Sequence, residues 1–495
     1  MSAAAESSQT TTTNLRVAVI GGGISGLAAA HRLLSRCETV DVTLFEASQR
    51  LGGIIRTEEA DGFLMELGPD SFITNKPGGI QLCEEIGFTG QLITTDSRYR
   101  RSLVLSRGKP TPVPDGFMLM APEKPWSLLK SPVLSLAGRL RLLSEYFVPP
   151  RGSSDDESLS QFVTRRFGRE ALDRLVQPLV GGIYTSDPDK LSLKATLPRF
   201  PEMEASHGSV IRATLAQMKA RKNNPAGSAA DDQGSGARYG LFTTAAGGLS
   251  DLVTAIESNL RKHSGFHFQP GTRVKSVVPV AEGRSGWLLT TERDTHAFDA
   301  VIITLPAYLA AGLLSHPDCA PLQAQLNTIE YASSAIVVSG HQLSDFSNPM
   351  DAFGLVVPAV ERRKILAVSF SSRKFVNRAP DGHLVLRTFV GGAMQPELMQ
   401  LDDDAILNLV NDELRDIFGM SREPLFSEVV RYHRAMPQYH VGHLDRVAAI
   451  EDSVGRWPGL HLAGSAYRGV GIPDSIASGR EAADQILCIA GATAF

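Results

Sequence analysis

Hydrophobic positions change their period within the first 45 residues of the chain, and this change predicts the opening fold. The apolar run 16–20 predicts a short buried strand, whereas the apolar residues over 27–34 have the spacing of a helix. A second strand is predicted over 40–45, and the stretch GGGISG, 21–26, lies between the first strand and the helix. This order predicts a βαβ unit with parallel strands.

The glycine-rich turn predicts a dinucleotide site. Gly21 makes the tight turn, Gly23 lets the backbone approach a pyrophosphate, and Gly26 lets the helix pack on the strand. Glu46 ends the second strand, where its carboxylate accepts hydrogen bonds from ribose hydroxyls and would repel the 2′-phosphate of NADP. The glycine pair in RLGG, 50–53, follows at once. A chain that runs this close to the far end of a long dinucleotide favours FAD over NAD.

A second glycine-rich turn occurs near the other end of the chain, at 459–479. The pattern predicts a buried strand, a glycine-rich loop and a helix that is capped by Asp474 and continues through 480–489. A flavin offers two groups that the positive end of a helix stabilises: its pyrophosphate, and the ring edge that gains negative charge on reduction. Two such turns in one chain therefore also favour FAD.

Alternation of apolar and polar residues predicts a second domain that is built on an antiparallel sheet. The alternating segments are 333–340, 365–371 and 385–390. An amphipathic helix is predicted after them, over 402–418.

The pattern between 126 and 195 is helical. A helix is predicted over 158–180, with Ser158 as its cap and its end near Pro178, followed by a glycine-rich loop at 181–184. Between 136 and 147, before that helix, apolar residues at helical spacing form a stripe that either packs in the core or lies in a membrane interface. Its apolar residues are Leu136, Leu140, Leu143 and Phe147.

Composition narrows the class of protein. The chain has 495 residues, 43% of them hydrophobic, which is enough for two or three domains. A formal charge of −4 gives no reason to expect nucleic acid as a partner, and no apolar run reaches the roughly 20 residues that cross a bilayer. The four cysteines lack disulfide or metal spacing, as is typical of a cytoplasmic protein. No metal site is predicted, and the polar stretches 1–14 and 222–238 are predicted to be disordered.

Four motifs together resemble the FAD-dependent protoporphyrinogen and coproporphyrinogen III oxidases, a family within the flavin amine oxidase superfamily. They are LGG-x-x-RT at 51–57, ELGPDSF at 66–72, GGIYTSDPDKLSLKAT at 181–196, and LAG-x-x-Y-x-GVGIPDSI at 462–476. The resemblance covers nearly the whole chain beyond residue 14. Ser465 and Ala466 stand where relatives with a covalent flavin carry a cysteine, so the FAD is expected to be non-covalent.

The resemblance implies an α/β (α+β) fold with three parts: a Rossmann-like FAD-binding domain, an antiparallel-sheet substrate domain and a helical lobe that faces a membrane in some relatives. The expected FAD domain comprises 15–95, 240–305 and 445–490. The expected substrate domain comprises 96–125, 196–239 and 306–444. The expected lobe is 126–195.

The resemblance also implies the reaction. A porphyrinogen would be oxidised to the porphyrin in three two-electron rounds, with hydride passing to flavin N5 and O2 reoxidising the flavin to give H2O2. The expected location is the cytoplasm. Peripheral contact with the cytoplasmic membrane and hand-over of the product to the next enzyme of the haem pathway are open alternatives.

Site residues follow from the resemblance by position. Residues expected to hold FAD are Gly21, Gly22, Gly23, Ile24, Ser25, Gly26, Glu46, Ala47, Arg50, Gly53, Ile54, Gly68, Pro69, Asp70, Ser71, Val274, Ser465, Val470, Gly471 and Ile472. Residues expected to contact the substrate are Lys76, Arg98, Gly182, Val356, Ser369 and Phe389. Arg98 would bind a propionate, because a guanidinium matches a carboxylate bidentately, and Lys76 would assist it.

Two of these residues bear on the substrate. Val356 and Ser369 stand where plant members of the family carry larger apolar side chains, and the hydroxyl of Ser369 makes a roomier, more polar slot. Such a slot favours coproporphyrinogen III, with four propionates, over protoporphyrinogen IX, with two. Other readings stay open: a flavin amine oxidase or carotenoid desaturase, a carrier of flavin or porphyrin without catalysis, and an NAD-dependent dehydrogenase.

Overall fold

The computed structural model describes residues 14–114, 117–118, 121–122, 131–223, 242–280, 286–489 and 491. The tail predicted over 1–14 lies outside them except for Asn14. So does the insertion predicted over 222–238, except for its first two residues, which end a helix. Two sheets organise the described chain.

The first sheet has five parallel strands, and their carboxyl ends meet at one edge, where ligands of such sheets bind. In spatial order they are Phe266–Gln269, Val40–Phe45, Leu15–Ile20, Ala300–Ile303 and Leu460–Leu462. Leu15–Ile20 is the central strand, and its Val17–Val19 segment is fully buried. Helices Ile24–Arg36, Leu249–Leu260 and Ile472–Ile489 contribute to the apolar core on one face.

The second sheet has seven strands, and all its pairs are antiparallel except one. In spatial order they are Phe426–Pro437, Tyr331–Gln342, His383–Gly391, Ala367–Phe370, Gly354–Val356, Leu103–Ser106 and Lys109–Pro112. Helix Asp403–Phe418, capped by Asp402, covers one face. The strand Phe63–Glu66 packs against the other face, which joins the second sheet to the N-terminal part of the chain.

Smaller elements complete the fold. The short strands are Thr57–Ala60, Phe72–Ile73, Leu92–Thr94, Phe117–Met118, Ala121–Pro122, Phe242–Ala245, Val274–Pro279, Trp287–Thr291 and Thr295–Phe298. The remaining helices outside the lobe are Pro77–Glu85, Ala307–Leu313, Ala320–Asn327, Ser371–Lys374 and His443–Val454. The predicted fold class is confirmed, since a parallel sheet, a largely antiparallel sheet and a helical lobe are all present. The domain boundaries stay a prediction.

The helical lobe is held by a buried ion pair. Glu145 and Arg166 are both fully buried, and Glu145 also accepts hydrogen bonds from the backbone amides of Val210 and Ile211 at the start of a helix. The helices between 126 and 196 are Leu136–Leu143, Leu159–Phe167, Arg169–Ala171, Gln177–Tyr184 and Leu193–Thr196, and the helices Arg199–His207 and Val210–Asn223 contribute to the same apolar cluster. Ser158 caps its helix, as predicted, and the structure shows that it does so in a capping box with Gln161. Among the described residues, no helix is both long and apolar enough to cross a bilayer.

Two predicted helix boundaries are wrong. The helix that begins after Ser158 ends at Gly168, and a second helical run from 169 passes through Pro178 to Tyr184, so that Gly182 is helical. Its π-helical turn, Leu172–Val176, directly precedes the segment that holds Pro178. There the wider turn accommodates a residue that has no N–H group to donate.

The final helix begins at Ile472, and Asp474 therefore lies in its first turn rather than at its cap. The helix starts earlier than predicted because Ser475 already donates its amide to the carbonyl of Gly471. A carboxylate in the first turn still complements the positive end of the helix.

Candidate functional site

The two glycine-rich turns, at opposite ends of the chain, lie side by side. The helices that follow them cross at Gly479, where an added Cβ would overlap the backbone carbonyl of Ser25. Gly464, in the second turn, is held by a 3.0 Å hydrogen bond from its amide to the hydroxyl of Ser478. A Cβ on Gly464 would lie 3.9 Å from the hydroxyl of Ser25. The fold therefore brings both predicted helix termini to one site.

The first turn has an open cradle. Apart from Gly23 and its two chain neighbours, no atom of the described residues lies within 4 Å of the position that a Cβ on Gly23 would take. The helix that begins at Ile24 has no side chain capping its first turn, so its leading amides are not satisfied by a cap. Gly26 is different, because a Cβ there would overlap the carbonyl of Gly21. The free space and uncapped amides at Gly23 fit the pyrophosphate of a dinucleotide.

Glu46 and Arg50 shape the loop next to this cradle. The carboxylate of Glu46 accepts 2.8 Å hydrogen bonds from the amides of Gly22 and Ser48, and Ala47 lies between Glu46 and Ser48 in the chain. Gly52 donates to the carbonyl of Gly22 at 2.8 Å, and Arg50 binds the carbonyls of the loop that holds Gly53. The predicted ribose acid and the second glycine pair are thus joined to the first glycine turn.

The segment around Val274, predicted at the adenine end, lies against the Glu46 loop. Thr272 donates its amide to the carbonyl of Glu46 at 2.8 Å, and Gly271 donates to the carbonyl of Ser48 at 2.8 Å. Val274 begins the strand that follows and is buried. The structure therefore brings this segment to the side of Glu46.

The predicted flavin-side loop 68–71, which includes Pro69, packs on the loop that contains Ile54. A Cβ on Gly68 would overlap the carbonyl of Ile54, so this close approach requires glycine. Tyr432, from the second sheet, donates its hydroxyl to the carbonyl of Leu67 at 2.7 Å. The second sheet thus contributes one hydrogen bond to the segment that leads into this loop.

Asp70 forms a largely buried ion cluster that the sequence analysis did not predict. Lys374 lies 2.9 Å and Arg387 3.1 Å from the carboxylate of Asp70, and Lys374 also donates to the hydroxyl of Ser71 at 2.8 Å. Arg387 in addition donates to the carbonyl of Gly68. Burial by itself would raise the pKa of Asp70, but the two cations outweigh it and hold that pKa well below its ordinary value. An inward-facing arginine between Val385 and Phe389 was the available sequence signal.

Three predicted substrate residues share one face of the second sheet. Val356 pairs with Ala367, and Ala367 pairs with Phe389 on the next strand. Ser369 lies two residues beyond Ala367 and therefore points to the same side. A Cβ on Gly182 would lie 3.9 Å from Cγ1 of Val356. The helix that carries Gly182 thus borders this face at Val356, and the partly exposed surface of Ser369 and Phe389 beside that contact forms a cleft.

The two predicted cationic substrate residues lie outside this face. Arg98 is 70% exposed and its guanidinium is bound to Asp96, whose amide donates to the carbonyl of Lys374 at 2.9 Å. Lys76 forms a 2.6 Å ion pair with Asp474 in the first turn of the final helix. Their roles toward the substrate stay predictions.

Tyr439 and His443 hold the second glycine-rich loop, and the sequence analysis missed them. Tyr439 donates its hydroxyl to the carbonyl of Ser465 at 2.7 Å and accepts the amide of Gly469 at 2.8 Å. His443 Nε2 donates to the carbonyl of Tyr467 at 2.9 Å. Their only sequence signal was an aromatic residue and a histidine just after the end of a long strand.

Comparisons with known proteins identify the family. The model of the flavin containing amine oxidoreductases matches residues 24–487. A coproporphyrinogen III oxidase from Bacillus subtilis (strain 168) is 33% identical over 95% of this chain and 97% of its own length. The protoporphyrinogen oxidase 2 (chloroplastic/mitochondrial) of Arabidopsis thaliana is 30% identical over 95% of this chain and 94% of its own length.

A solved structure has the same fold. The crystal structure of a protein described as a protoporphyrinogen oxidase, from Exiguobacterium sp. 255-15, matches 96% of this chain and 99% of its own, with 27% identity and a TM-score of 0.83. The prediction of FAD as the cofactor is confirmed by the family. The chain belongs to the flavin containing amine oxidoreductases and, within them, to the family of the protoporphyrinogen and coproporphyrinogen III oxidases.

Proposed function

We propose that this protein is an oxygen-dependent porphyrinogen oxidase of haem biosynthesis, and that coproporphyrinogen III is its favoured substrate. The observation that carries the proposal is the cleft between Gly182 and the sheet face of Val356, Ser369 and Phe389. This cleft adjoins the loop 68–71 through Arg387, which lies on the same sheet face as Ser369 and binds Gly68. An apolar macrocycle bound on this face would therefore lie beside the flavin-side loop.

The residues of the chain would position the substrate rather than exchange protons with it. Val356 and Phe389, which share one sheet face, would contact the same side of the macrocycle through apolar groups, and Gly182 would border the macrocycle on the side of the lobe helix. FAD, when bound, supplies the acceptor for two electrons in each of three rounds, and O2 accepts them in turn with release of H2O2. Arg98 would bind a propionate, with its solvent-exposed guanidinium exchanging the carboxylate of Asp96 for that of the substrate.

Ser369 supports the four-propionate substrate. Its side chain is half-buried and directly opposite Arg387 on the neighbouring strand, so the cleft has a polar hydroxyl beside a cationic cluster. A slot of this kind accepts ionised propionates better than vinyl groups, whose burial favours apolar neighbours.

Substrate preference tests the proposal directly. The purified protein would be mixed in air with coproporphyrinogen III or protoporphyrinogen IX, and porphyrin fluorescence and H2O2 would be followed with correction for spontaneous oxidation. We expect faster turnover of coproporphyrinogen III, and a lower ratio of the two rates in Ser369→Leu. Thr388→Val is the control, because Thr388 lies on the opposite face of the same sheet and is fully buried. Turnover of neither substrate would contradict the proposal and favour a carrier.

We further propose that the lobe contacts a membrane from the cytoplasmic side. Leu136, Leu140 and Phe147 are 67%, 58% and 78% exposed, so these three residues of the predicted stripe lie outside the core, whereas Leu143 is partly buried. Arg212 lies over the ring of Tyr146, next to Phe147, with its guanidinium carbon 4.5 Å from the ring centre, which brings a cation to the same surface. Exposed apolar side chains beside cations favour an anionic lipid interface. Product would then be handed to the next haem-pathway enzyme at that surface.

Vesicle sedimentation tests this contact. We expect the protein to sediment with vesicles that contain anionic lipid, and Phe147→Ser to weaken that binding. Leu425→Ser is the matched control, since Leu425 is 52% exposed elsewhere on the molecule. Equal sedimentation of both variants with the unmodified protein would contradict the contact.

A further inference from the structure

The segment 438–443 connects the second glycine-rich loop with the end of the helix that carries Gly182. It directly follows the long strand Phe426–Pro437 of the second sheet. On one side its residues contact the loop 465–469, and on the other side they contact 184–192. This segment is therefore bonded both to the flavin side and to the substrate side of the cleft.

On the flavin side, one hydroxyl makes two hydrogen bonds. The hydroxyl of Tyr439 donates to the carbonyl of Ser465 and accepts from the amide of Gly469, so it spans the loop from its first residues to its last. The ring of Tyr439 is buried and stacks on the ring of His443, with 3.9 Å between ring centres and 14° between ring planes. Stacking and two hydrogen bonds leave the tyrosine a single orientation.

The Tyr439 hydroxyl must keep its proton to donate to Ser465. Burial raises its pKa well above the ordinary value for tyrosine, and the environment therefore keeps it protonated at all physiological pH values. His443 is also fully buried. It donates from Nε2 to the carbonyl of Tyr467, which requires the tautomer with the proton on that nitrogen.

On the substrate side, the contacts lie at the end of the helix Gln177–Tyr184. Gln438 accepts the hydroxyl of Ser186 at 2.6 Å and donates to the carbonyl of Tyr184. The carbonyl of Tyr439 accepts the amide of Ser192 at 2.7 Å. Tyr439 thus contacts the glycine-rich loop through its side chain and the lobe through its backbone.

We propose that Tyr439 is a positioning residue for hydride transfer: it fixes the loop 465–469 relative to the helix of Gly182 and so sets the separation of flavin and substrate. This inference rests on the proposed function. The loop leads directly into Val470–Ile472, which is expected at the pyrimidine edge of the flavin ring. Hydride transfer depends steeply on the distance and angle between donor and acceptor, and a displacement of about 1 Å costs on the order of a hundredfold in rate.

Tyr439→Phe tests the proposal, because it keeps the ring and removes both hydrogen bonds of the hydroxyl. We expect the variant to retain FAD, to lose about tenfold or more in kcat, and to change KM by less than about twofold. We also expect a more negative reduction potential of the bound flavin, since a displaced loop moves the positive end of the final helix away from the ring. Dye-coupled reductive titration measures the potential without any porphyrinogen.

Tyr331→Phe is the matched control. Tyr331 is largely buried, and its hydroxyl accepts the amide of Ala307 at 2.7 Å, a bond that lies outside the loop 465–469. Loss of this hydroxyl also leaves one buried amide without a partner and breaks no hydrogen bond to the loop 465–469, so we expect it to lower stability with little change in kcat or in the reduction potential. If both variants change kcat, KM and the reduction potential equally, or if neither changes them, the proposal is wrong.

His443 provides a second test that does not depend on the folding of Tyr439→Phe. His443→Gln keeps an N–H donor for the carbonyl of Tyr467, whereas His443→Leu removes it. We expect the glutamine variant to retain most of the kcat and the reduction potential, and the leucine variant to shift both in the same direction as Tyr439→Phe. Identical behaviour of the two His443 variants would overturn the proposal. If the unmodified protein turned over no porphyrinogen, the proposed function would fail, while the potentials would still decide whether Tyr439 positions the flavin loop.

Discussion

Gly479 in the final helix lies directly on the backbone carbonyl of Ser25 in the first helix, without space for a side-chain carbon between them. This contact joins the two glycine-rich turns, which lie at opposite ends of the chain. The helix N-termini expected to stabilise the pyrophosphate and the ring edge of FAD are therefore held at a fixed separation by one glycine.

Gly479→Ala should separate these helices. The added Cβ overlaps a backbone oxygen, which no side-chain rotation relieves, so we expect a loss of about 2 kcal/mol or more in the free energy of unfolding and weaker FAD retention. Thermal unfolding and the ratio of flavin to protein absorbance measure both effects. In the control Gly312→Ala, the new Cβ meets no atom within 4 Å in another helix, and stability should stay the same or rise by up to about 1 kcal/mol.

Gly23→Val should remove FAD without unfolding the protein. Apart from the chain neighbours of Gly23, no atom of the described residues is near the new Cβ, so the side chain fills the space that the pyrophosphate would occupy. We expect a colourless protein with a melting temperature close to that of the unmodified apoprotein. Gly26→Ala should instead destabilise the apoprotein itself, because its Cβ overlaps the carbonyl of Gly21. A yellow Gly23→Val variant would contradict the assignment of the cradle.

Asp70→Asn should lower the free energy of unfolding, because it removes the only carboxylate described in this ion cluster. Without the carboxylate, Lys374 and Arg387 remain close together in the interior with no balancing charge, and we expect a loss of about 3 kcal/mol in stability. Chemical denaturation measures it. Asp173→Asn, which breaks a surface pair with Arg169, should cost less than about 1 kcal/mol. Equal effects would show that the cluster contributes no more than a surface pair.

Arg98→Ala should weaken substrate binding and leave the flavin bound. The guanidinium is exposed and is bonded to Asp96, outside the loops that form the dinucleotide cradle. We expect KM for the porphyrinogen to rise about tenfold, as for loss of one charge-assisted contact, with little change in the flavin spectrum. Arg169→Ala, at another exposed arginine paired with a neighbouring carboxylate, is the control. An unchanged KM would remove Arg98 from the site.

Acidification should loosen the loop that His443 holds. Burial lowers the pKa of His443 to about 4 from an ordinary 6.5, and the nearby cations of Arg446 and Arg468 act in the same direction, as does His440. The unfolded chain therefore binds this proton at higher pH than the folded chain. Protonation of His443 does not affect the free energy of unfolding above pH 6.5. It lowers this free energy by about 3 kcal/mol as the pH falls toward 4.

His443→Gln checks this pH dependence. The glutamine does not titrate, so the midpoint of chemical denaturation should fall less steeply between pH 6.5 and 4 than in the unmodified protein. His443→Leu, which does not titrate either, should show the same reduced slope. A slope in both variants equal to that of the unmodified protein would show that His443 does not contribute.

Local features were predictable because neighbouring residues decide them. The order strand, glycine turn and helix at 15–36 depends on the conformational freedom of glycine and on hydrophobic period, and both are visible in the sequence. The capping box at Ser158 likewise involves residues three positions apart. The motifs 66–72 and 462–476 carried enough identity to indicate the family, and the comparisons agree.

Contacts between distant segments could not be read from the pattern. Pro178 continues a helix because a π-helical turn precedes it, although the local rule for proline predicts an end there. Arg387 follows the alternation of an ordinary strand, and nothing nearby in the chain indicates that Asp70 neutralises it. The residues next to Tyr439 also gave no indication of its role, because the partners of its hydroxyl are in the loop 465–469.

The sequence by itself determined the βαβ unit, the cofactor and the family, because each depends on residue types at short, fixed spacings. Only the tertiary structure decided how the two glycine-rich turns meet at Ser25 and Gly479, and which buried side chains hold the cleft. Those contacts depend on the packing of segments that are hundreds of residues apart, where a hydroxyl or a charge is stabilised only by the partner that the fold places beside it.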